Sequence, residues 1–299
     1  MALIRIDDTA DPRLTDYRGV SDPDLAERNG LFIAEGRLVV RRLRVGSRFT
    51  TRSVLVTEPA LAALADALEA RPEVPAYVAA QAVMNEMAGF NIHRGCLAIG
   101  ERPAPAGWRD VIDQFPTPNS QFPNVVRPNV VVCLERVANA DNVGGVFRSA
   151  AAFGASAVLI DPVSTDPLYR KAIRTSMGAA LQVPFARAEP WPGVLRDLRG
   201  LGFAVIAMTP APSAPFLQEV VAAMAGRRVA VVLGHEGDGL TAGARAACEL
   251  QARIPIEGDV DSLNVAAAAA IALYEFAGSA SRNPAYDPGR RTEDPGRRT

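Results

Sequence analysis

Short apolar runs, each followed by a stretch of helical periodicity, recur along most of the chain and predict an alternation of strands and helices. In the first third, Leu31–Gly36, Ser53–Glu58, Val74–Ala79 and His93–Gly100 read as strands. Helices are predicted after Gly36, over Ala60–Glu69 and through Met87, and a helix start at Ser21-Asp22-Pro23. The second half has the same rhythm with longer apolar content. Strands are predicted at Val130–Glu135, Ala157–Ile160, Ala204–Met208, Val229–Leu233 and Ala252–Ile256, with helices at Val143–Phe153, Leu168–Met177 and Pro192–Leu201. Near-continuous apolar strands with helical crossovers predict a parallel sheet covered on both faces. The last helix, Leu263–Phe276, is apolar nearly all round and is expected to be buried.

Breaks in this rhythm divide the chain. Six prolines between Glu101 and Asn129 interrupt any helix there, so residues 101–128 are expected to be an extended, semi-rigid linker that holds two domains at a working distance. The division is then a small α/β domain over 1–100, the linker, a second α/β domain over 129–278, and a tail. Beyond Gly278 the sequence DPGRRT occurs twice, and 279–299 is expected to be disordered.

Length supports two domains, since 299 residues exceed one typical core. A formal net charge of -1 excludes a uniformly basic nucleic-acid binder but not a local basic face. The three cysteines have no metal-ligand spacing and read as reduced thiols. No run is long and apolar enough to span a bilayer and no leader is recognisable, so a cytoplasmic location with no membrane partner and no metal is expected. His93 has no partner at ligand spacing and reads as a structural histidine.

Candidate chemistry lies just after strands of the second sheet, where open α/β sheets bind ligands. NADNVGGVFRSAAAFG (Asn139–Gly154) places Asn142 at a helix start, Gly144 and Gly145 in the first turn, and Arg148 further along. GHEGDGL (Gly234–Leu240) follows a buried strand, and DSLNV (Asp261–Val265) opens the last helix through Ser262 and Asn264. No histidine or lysine base is among Asn142, Arg148, Glu236, Ser262 and Asn264, and the segments hold no Walker lysine and no G-x-G-x-x-G fingerprint. Each alone is ordinary capping and turn chemistry. Together, asparagine, arginine, glutamate and serine on one sheet edge can orient a hydroxyl beside a charged ligand.

The order N-x-G-x-x-x-R (Asn142, Gly144, Arg148), G-x-E-x-x-G-L (Gly234, Glu236, Gly239, Leu240) and S-L-N-V (Ser262–Val265) resembles the three motifs of the SpoU, or TrmH-like, RNA ribose methyltransferases of the SPOUT superfamily. RTSMGAALQVPF (Arg174–Phe185) resembles a further segment of that family. FIAEG and IHRGCLAIG resemble its substrate-binding domain. The resemblance implies a parallel sheet with a C-terminal deep trefoil knot, S-adenosylmethionine bound in it, a homodimer formed through the knotted domain, and methyl transfer to a ribose 2′-hydroxyl. It also implies a cofactor site at Thr209, Leu233, Gly234, Glu236, Gly239, Ile254, Ile256 and Leu263. Arg148 would stand beside the ribose hydroxyl, with Asn142, Glu236, Ser262 and Asn264 ordering the pocket. A guanidinium is a poor base, so Arg148 would bind the adjacent phosphate and orient the hydroxyl. At position 235 the family often has a small or amide residue. The His235 side chain here either tunes the pocket near neutral pH or points to solvent, the second being expected.

Arg37, Arg41, Arg44 and Arg48 recur at i, i+4, i+7 and i+11, one face of a helix. That stripe either grips RNA phosphates or is a solvated face. The leading expectation is therefore ribose methylation of structured RNA. An N-terminal binding domain is more usual in the family for ribosomal than for transfer RNA. An RNA-binding or ribosome-assembly protein that keeps the cofactor site, and a self-resistance methyltransferase, are the other readings.

Overall fold

The apolar runs become the strands of two sheets in a computed structural model that describes residues 3–18, 21–88, 92, 95–114, 130–257 and 260–281. His93, the 115–128 part of the linker and residues 282–299 of the tail lie outside the described residues. The first sheet contains β1 (Leu3–Ile6), β2 (Leu31–Glu35), β3 (Thr50–Val56), β4 (Ala76–Ala79) and β5 (Cys96–Glu101) in the order β1-β4-β3-β5-β2. β1, β4 and β3 are parallel, and β5 runs antiparallel to both β3 and β2. The Ser21 side chain accepts from the Asp24 N–H and caps helix Asp22–Asn29, with Pro23 in its first turn. β1 was not predicted from the sequence: it is a four-residue edge strand, LIRI, with a single buried residue, Ile6.

The second sheet is wholly parallel. It comprises β6 (Val130–Leu134), β7 (Ala157–Ile160), β8 (Phe185–Arg187), β9 (Phe203–Met208), β10 (Arg228–Leu233) and β11 (Leu250–Ala252), ordered β11-β9-β10-β6-β7-β8. One face packs on helices Ala140–Phe153 and Val265–Ser281, the other on Gly193–Gly200 and Ala242–Ala247. Two expectations are corrected at its ends. The last strand is Leu250–Ala252 rather than Ala252–Ile256, because the chain leaves the sheet at Arg253, which bridges Phe216, and Pro255 donates no ladder bond. The last helix is not buried all round. Val265, Ala269, Ala272, Leu273 and Phe276 form its buried stripe, while Ala267 and Tyr274 face outward, Tyr274 at 62% exposure.

The linker expectation also changes. Trp108–Asp113 is a helix, and Trp108, Val111 and Ile112 are buried in the core of the second unit. This segment holds no proline, and the Asp110 carboxylate accepts from the Gly107 N–H at its start. The two units are packed together rather than held apart. Leu168, Ile173, Leu181 and Phe185 of the second unit share one apolar cluster with Val39, Val40, Leu43 and Phe49 of the first.

Candidate active site

The second sheet changes winding direction at β6. The chain lays β7 and β8 on one side, then crosses to place β9, β10 and β11 on the other. That switch opens a crevice at the carboxyl ends of β6 and β10, whose last residues, Leu134 and Leu233, stand opposite each other. All three polar segments converge there.

After β10 the chain curls through Gly234–Leu240 and back. The Gly239 N–H donates to the His235 carbonyl at 3.0 Å, and Gly239 has φ 66°, the left-handed region that favours glycine. Gly234 is fixed by contact: a Cβ there would lie 2.5 Å from the Gly239 carbonyl carbon. Leu240 is buried beyond the loop, and Thr241 caps helix Ala242–Ala247. Beneath the loop stands Glu135, 1% exposed. It accepts from Trp191 Nε1 at 2.7 Å and from the Thr241 N–H and hydroxyl at 2.8 Å each. The sequence reading passed over Glu135; an acid directly at the end of a buried apolar strand was its signal. The same reading missed Arg136, which has φ 58° and reaches Asp238 on the loop at 3.7 Å. It also missed Asp141, which holds Lys171 and Thr175 at 2.8 Å each.

The three polar segments are joined by side-chain amides. Asn142 Nδ2 donates to Glu236 Oε1, and Asn264 Nδ2 donates to Asn142 Oδ1 at 2.8 Å. Asn264 Oδ1 in turn accepts from the Ala266 N–H at 2.9 Å at the start of the last helix. Asn139, not Asn142, caps the helix Ala140–Phe153. Gly144 and Gly145 serve packing. A Cβ on Gly144 would meet the Ala172 carbonyl at 2.7 Å, and one on Gly145 the Ala266 Cβ at 2.7 Å, so helix meets helix there. Arg148 is exposed and, among the described residues, makes no hydrogen bond or ion pair.

Beside this chain of amides a pocket of about 120 Å³ opens between the ends of β9 and β10, Ile254 and Ile256, and the 262–265 segment. Thr209, Leu233, Gly234, Glu236, Gly239, Ile254, Ile256, Leu263 and Ser262 all line it, together with Met208, Val265 and Ala268. Apolar walls with a glycine loop and a few polar groups suit a small ligand with a flat apolar ring and a charged end. Burial pushes up the thiols of Cys133 and Cys248, the latter to about 12, so neither supplies a thiolate at neutral pH. No group of three or more His, Cys, Asp and Glu among the described residues could hold a metal ion.

Two expectations fail here. The His235 side chain, half-buried at the pocket, does more than face solvent. Its Nδ1 accepts from the Gly237 and Asp238 N–H groups at 3.0 and 3.3 Å and pins the loop. Nor do Arg37, Arg41, Arg44 and Arg48 form an open stripe. Their shared helical face turns toward helix Glu58–Glu69, where Arg41 pairs with Asp66 and Arg44, 1% exposed, donates to the carbonyls of Ala67, Leu68 and Arg71. Arg48 lies past the helix end and stacks over Phe185 at 4.6 Å, and Arg37 alone of the four is a helical residue left open.

Comparison with known proteins agrees with this architecture. Residues 129–274 match the model of the SpoU rRNA Methylase family. An uncharacterized tRNA/rRNA methyltransferase from Mycobacterium bovis is 42% identical over 273 residues, spanning 90% of this chain and 89% of that protein. The crystal structure of an AdoMet-bound rRNA methyltransferase from Sinorhizobium meliloti superposes with a TM-score of 0.74 at 24% identity, covering 94% of this chain and 98% of that one. That of an RNA 2′-O ribose methyltransferase gives 0.67 at 26% identity, covering 92% and 99%.

Proposed function

This chain belongs to the SpoU rRNA Methylase family, and on that premise we propose that it transfers a methyl group from S-adenosylmethionine to a ribose 2′-hydroxyl of structured RNA, ribosomal RNA above transfer RNA. The observation that carries the reading is the amide relay Glu236–Asn142–Asn264, which ties all three motifs to the rim of one pocket.

The pocket fits the cofactor by its chemistry. A Cβ on Gly234 would fill the loop, and Leu233, Ile254, Ile256 and Leu263 offer apolar walls to an adenine ring, with Thr209, Glu236 and Ser262 left for polar ends. The bound sulfonium supplies an electrophilic methyl group, which leaves alignment of the hydroxyl as the protein's main task. Asn142 is held on both sides of its amide, so Glu236 keeps one orientation at the pocket rim. Arg148 makes no hydrogen bond or ion pair among the described residues, and its forked guanidinium suits it to hold the RNA phosphate next to the reacting ribose. The proton leaves to phosphate or solvent. A knotted C-terminus is supported by the chain's path: Ala252 and Arg253 accept from Thr209 and Leu217 at the sheet edge, and the following segment returns to pack on Ala140–Phe153. The apolar outer face of the last helix, with exposed Tyr274 set edge-on to Phe153 at 6.0 Å, supports a homodimer.

The test is transfer of labelled methyl from S-adenosylmethionine to separated ribosomal and transfer RNA, with wild type beside Arg148→Ala. The expected result is label in ribosomal RNA as a 2′-O-methyl nucleotide, lost in the variant while cofactor affinity persists. Label on a base, or full turnover by Arg148→Ala, overturns the assignment.

A further inference from the structure

The loop that floors the pocket is held in shape by an imidazole. His235 Nδ1 accepts from the Gly237 N–H at 3.0 Å and from the Asp238 N–H at 3.3 Å, while its own carbonyl accepts from Gly239. Glycine at 237 keeps room for the ring: a Cβ there would lie 3.3 Å from His235 Cε1. The arrangement is an Asx-type turn built with a ring nitrogen in place of a side-chain oxygen. His235, Glu236, Gly237 and Gly239 all line the pocket, so the turn sets its shape directly.

We propose that His235 is a positioning residue that makes cofactor binding depend on pH. The loop keeps its binding shape while Nδ1 carries no proton and loosens when it gains one. This rests on the reading that S-adenosylmethionine occupies the pocket. A neutral imidazole protonated on Nε2 offers one acceptor at Nδ1, whereas the imidazolium has none and sets a donor against two backbone donors. Histidine is the side chain whose ordinary titration falls between pH 5 and 8. The charged groups around the turn are Glu236 and Asp238 on the loop itself, Glu135 beneath it, and Arg136 just past β6, which pairs with Asp238. Arg245 of the next helix donates to the Leu240 carbonyl, and Glu257 and Asp261 stand on the segment across the pocket. Loosening the loop also releases Glu236 from Asn142, so affinity and alignment fall together.

The experiment measures the Kd of S-adenosylmethionine by calorimetry at pH 7.5, 6.5 and 5.5 for wild type, His235→Asn and His235→Ala. An asparagine side-chain oxygen makes the same turn without titrating. Wild type is expected to weaken by about tenfold across the range, within the limit of tenfold per pH unit for one linked proton. His235→Asn should match wild type at pH 7.5 and stay level to pH 5.5, and His235→Ala should bind weakly throughout. A wild-type profile parallel to that of His235→Asn, or an alanine variant as tight as wild type, overturns the proposal. Absence of wild-type binding at every pH instead overturns the cofactor reading beneath it.

Discussion

Asn142 is where the three polar segments meet, and its amide is the only part of it that the arrangement needs. The nitrogen donates to Glu236 and the oxygen accepts from Asn264, so neither end is interchangeable with the other. An aspartate has the same shape but cannot donate, and it would set a carboxylate against that of Glu236. Asn142 does not line the pocket, so the damage should fall on alignment rather than on cofactor affinity. Asn142→Asp is therefore expected to lower kcat by about a hundredfold, the scale of a small misplacement of reacting groups, with the Kd of S-adenosylmethionine changed by less than about threefold. Methyl-transfer kinetics at saturating RNA, beside calorimetry, check it. Turnover equal to wild type would remove the relay from the mechanism. Asn142 was legible in the sequence because motif spacing names it, and the structure sets it between the other two segments. His235 was misjudged because nothing in a sequence says which way a ring turns, and here two backbone N–H groups left over by the glycine turn decide it.

Among the elements, helix Arg37–Val45 separates what periodicity reveals from what it conceals. The i, i+4, i+7 spacing does put Arg37, Arg41 and Arg44 on one face, but spacing is silent on what that face meets. It meets the C-terminal end of helix Glu58–Glu69, whose last carbonyls need donors, and Arg44 supplies them from inside the protein. The prediction of an RNA stripe thus becomes one of stability. Arg44→Met keeps the apolar stem and loses the cap, which costs about 2 kcal/mol in a buried geometry and lowers Tm by about 4–8 °C. RNA and cofactor affinities should stay as in wild type. A fall in RNA affinity at unchanged Tm, by filter binding and scanning calorimetry, would restore the stripe. The strands β2, β6, β7, β9 and β10 were readable because each is an unbroken apolar run. β11 and helix Trp108–Asp113 were not, since a three-residue strand and a six-residue helix owe their form to packing rather than to local pattern. The glycines Gly144 and Gly145 stand in the first turn, as the sequence places them, and what approaches them closely there is the neighbouring helices.

For the whole molecule, the seam between the two sheets decides how the protein moves and unfolds. Arg102 and Asp166 pair across it at 2.8 Å with side chains only 18% and 15% exposed, and Arg42 donates to the Met177 carbonyl at 2.8 Å. Ser47 donates to the Leu181 carbonyl, and the Arg170 N–H donates to Asp22. Around these bonds the apolar cluster draws Phe32, Val40, Leu43 and Phe49 from one side and Leu168, Ile173, Leu181 and Phe185 from the other. Separating the units would expose that cluster and leave the polar bonds unmet, so neither unit has a cheap route to unfolding alone. One calorimetric transition is expected, with its enthalpy equal to the van't Hoff value at fixed protein concentration. Leu181 is fully buried at the seam, and Leu181→Ala should cost about 2–5 kcal/mol. That loss should move the whole transition down rather than split it. Two resolved transitions in wild type, or a variant in which only part of the heat shifts, would show that the units fold independently. The seam would then be a docking contact, and the distance from the first sheet to the methyl-transfer site would vary instead of being fixed by a shared core.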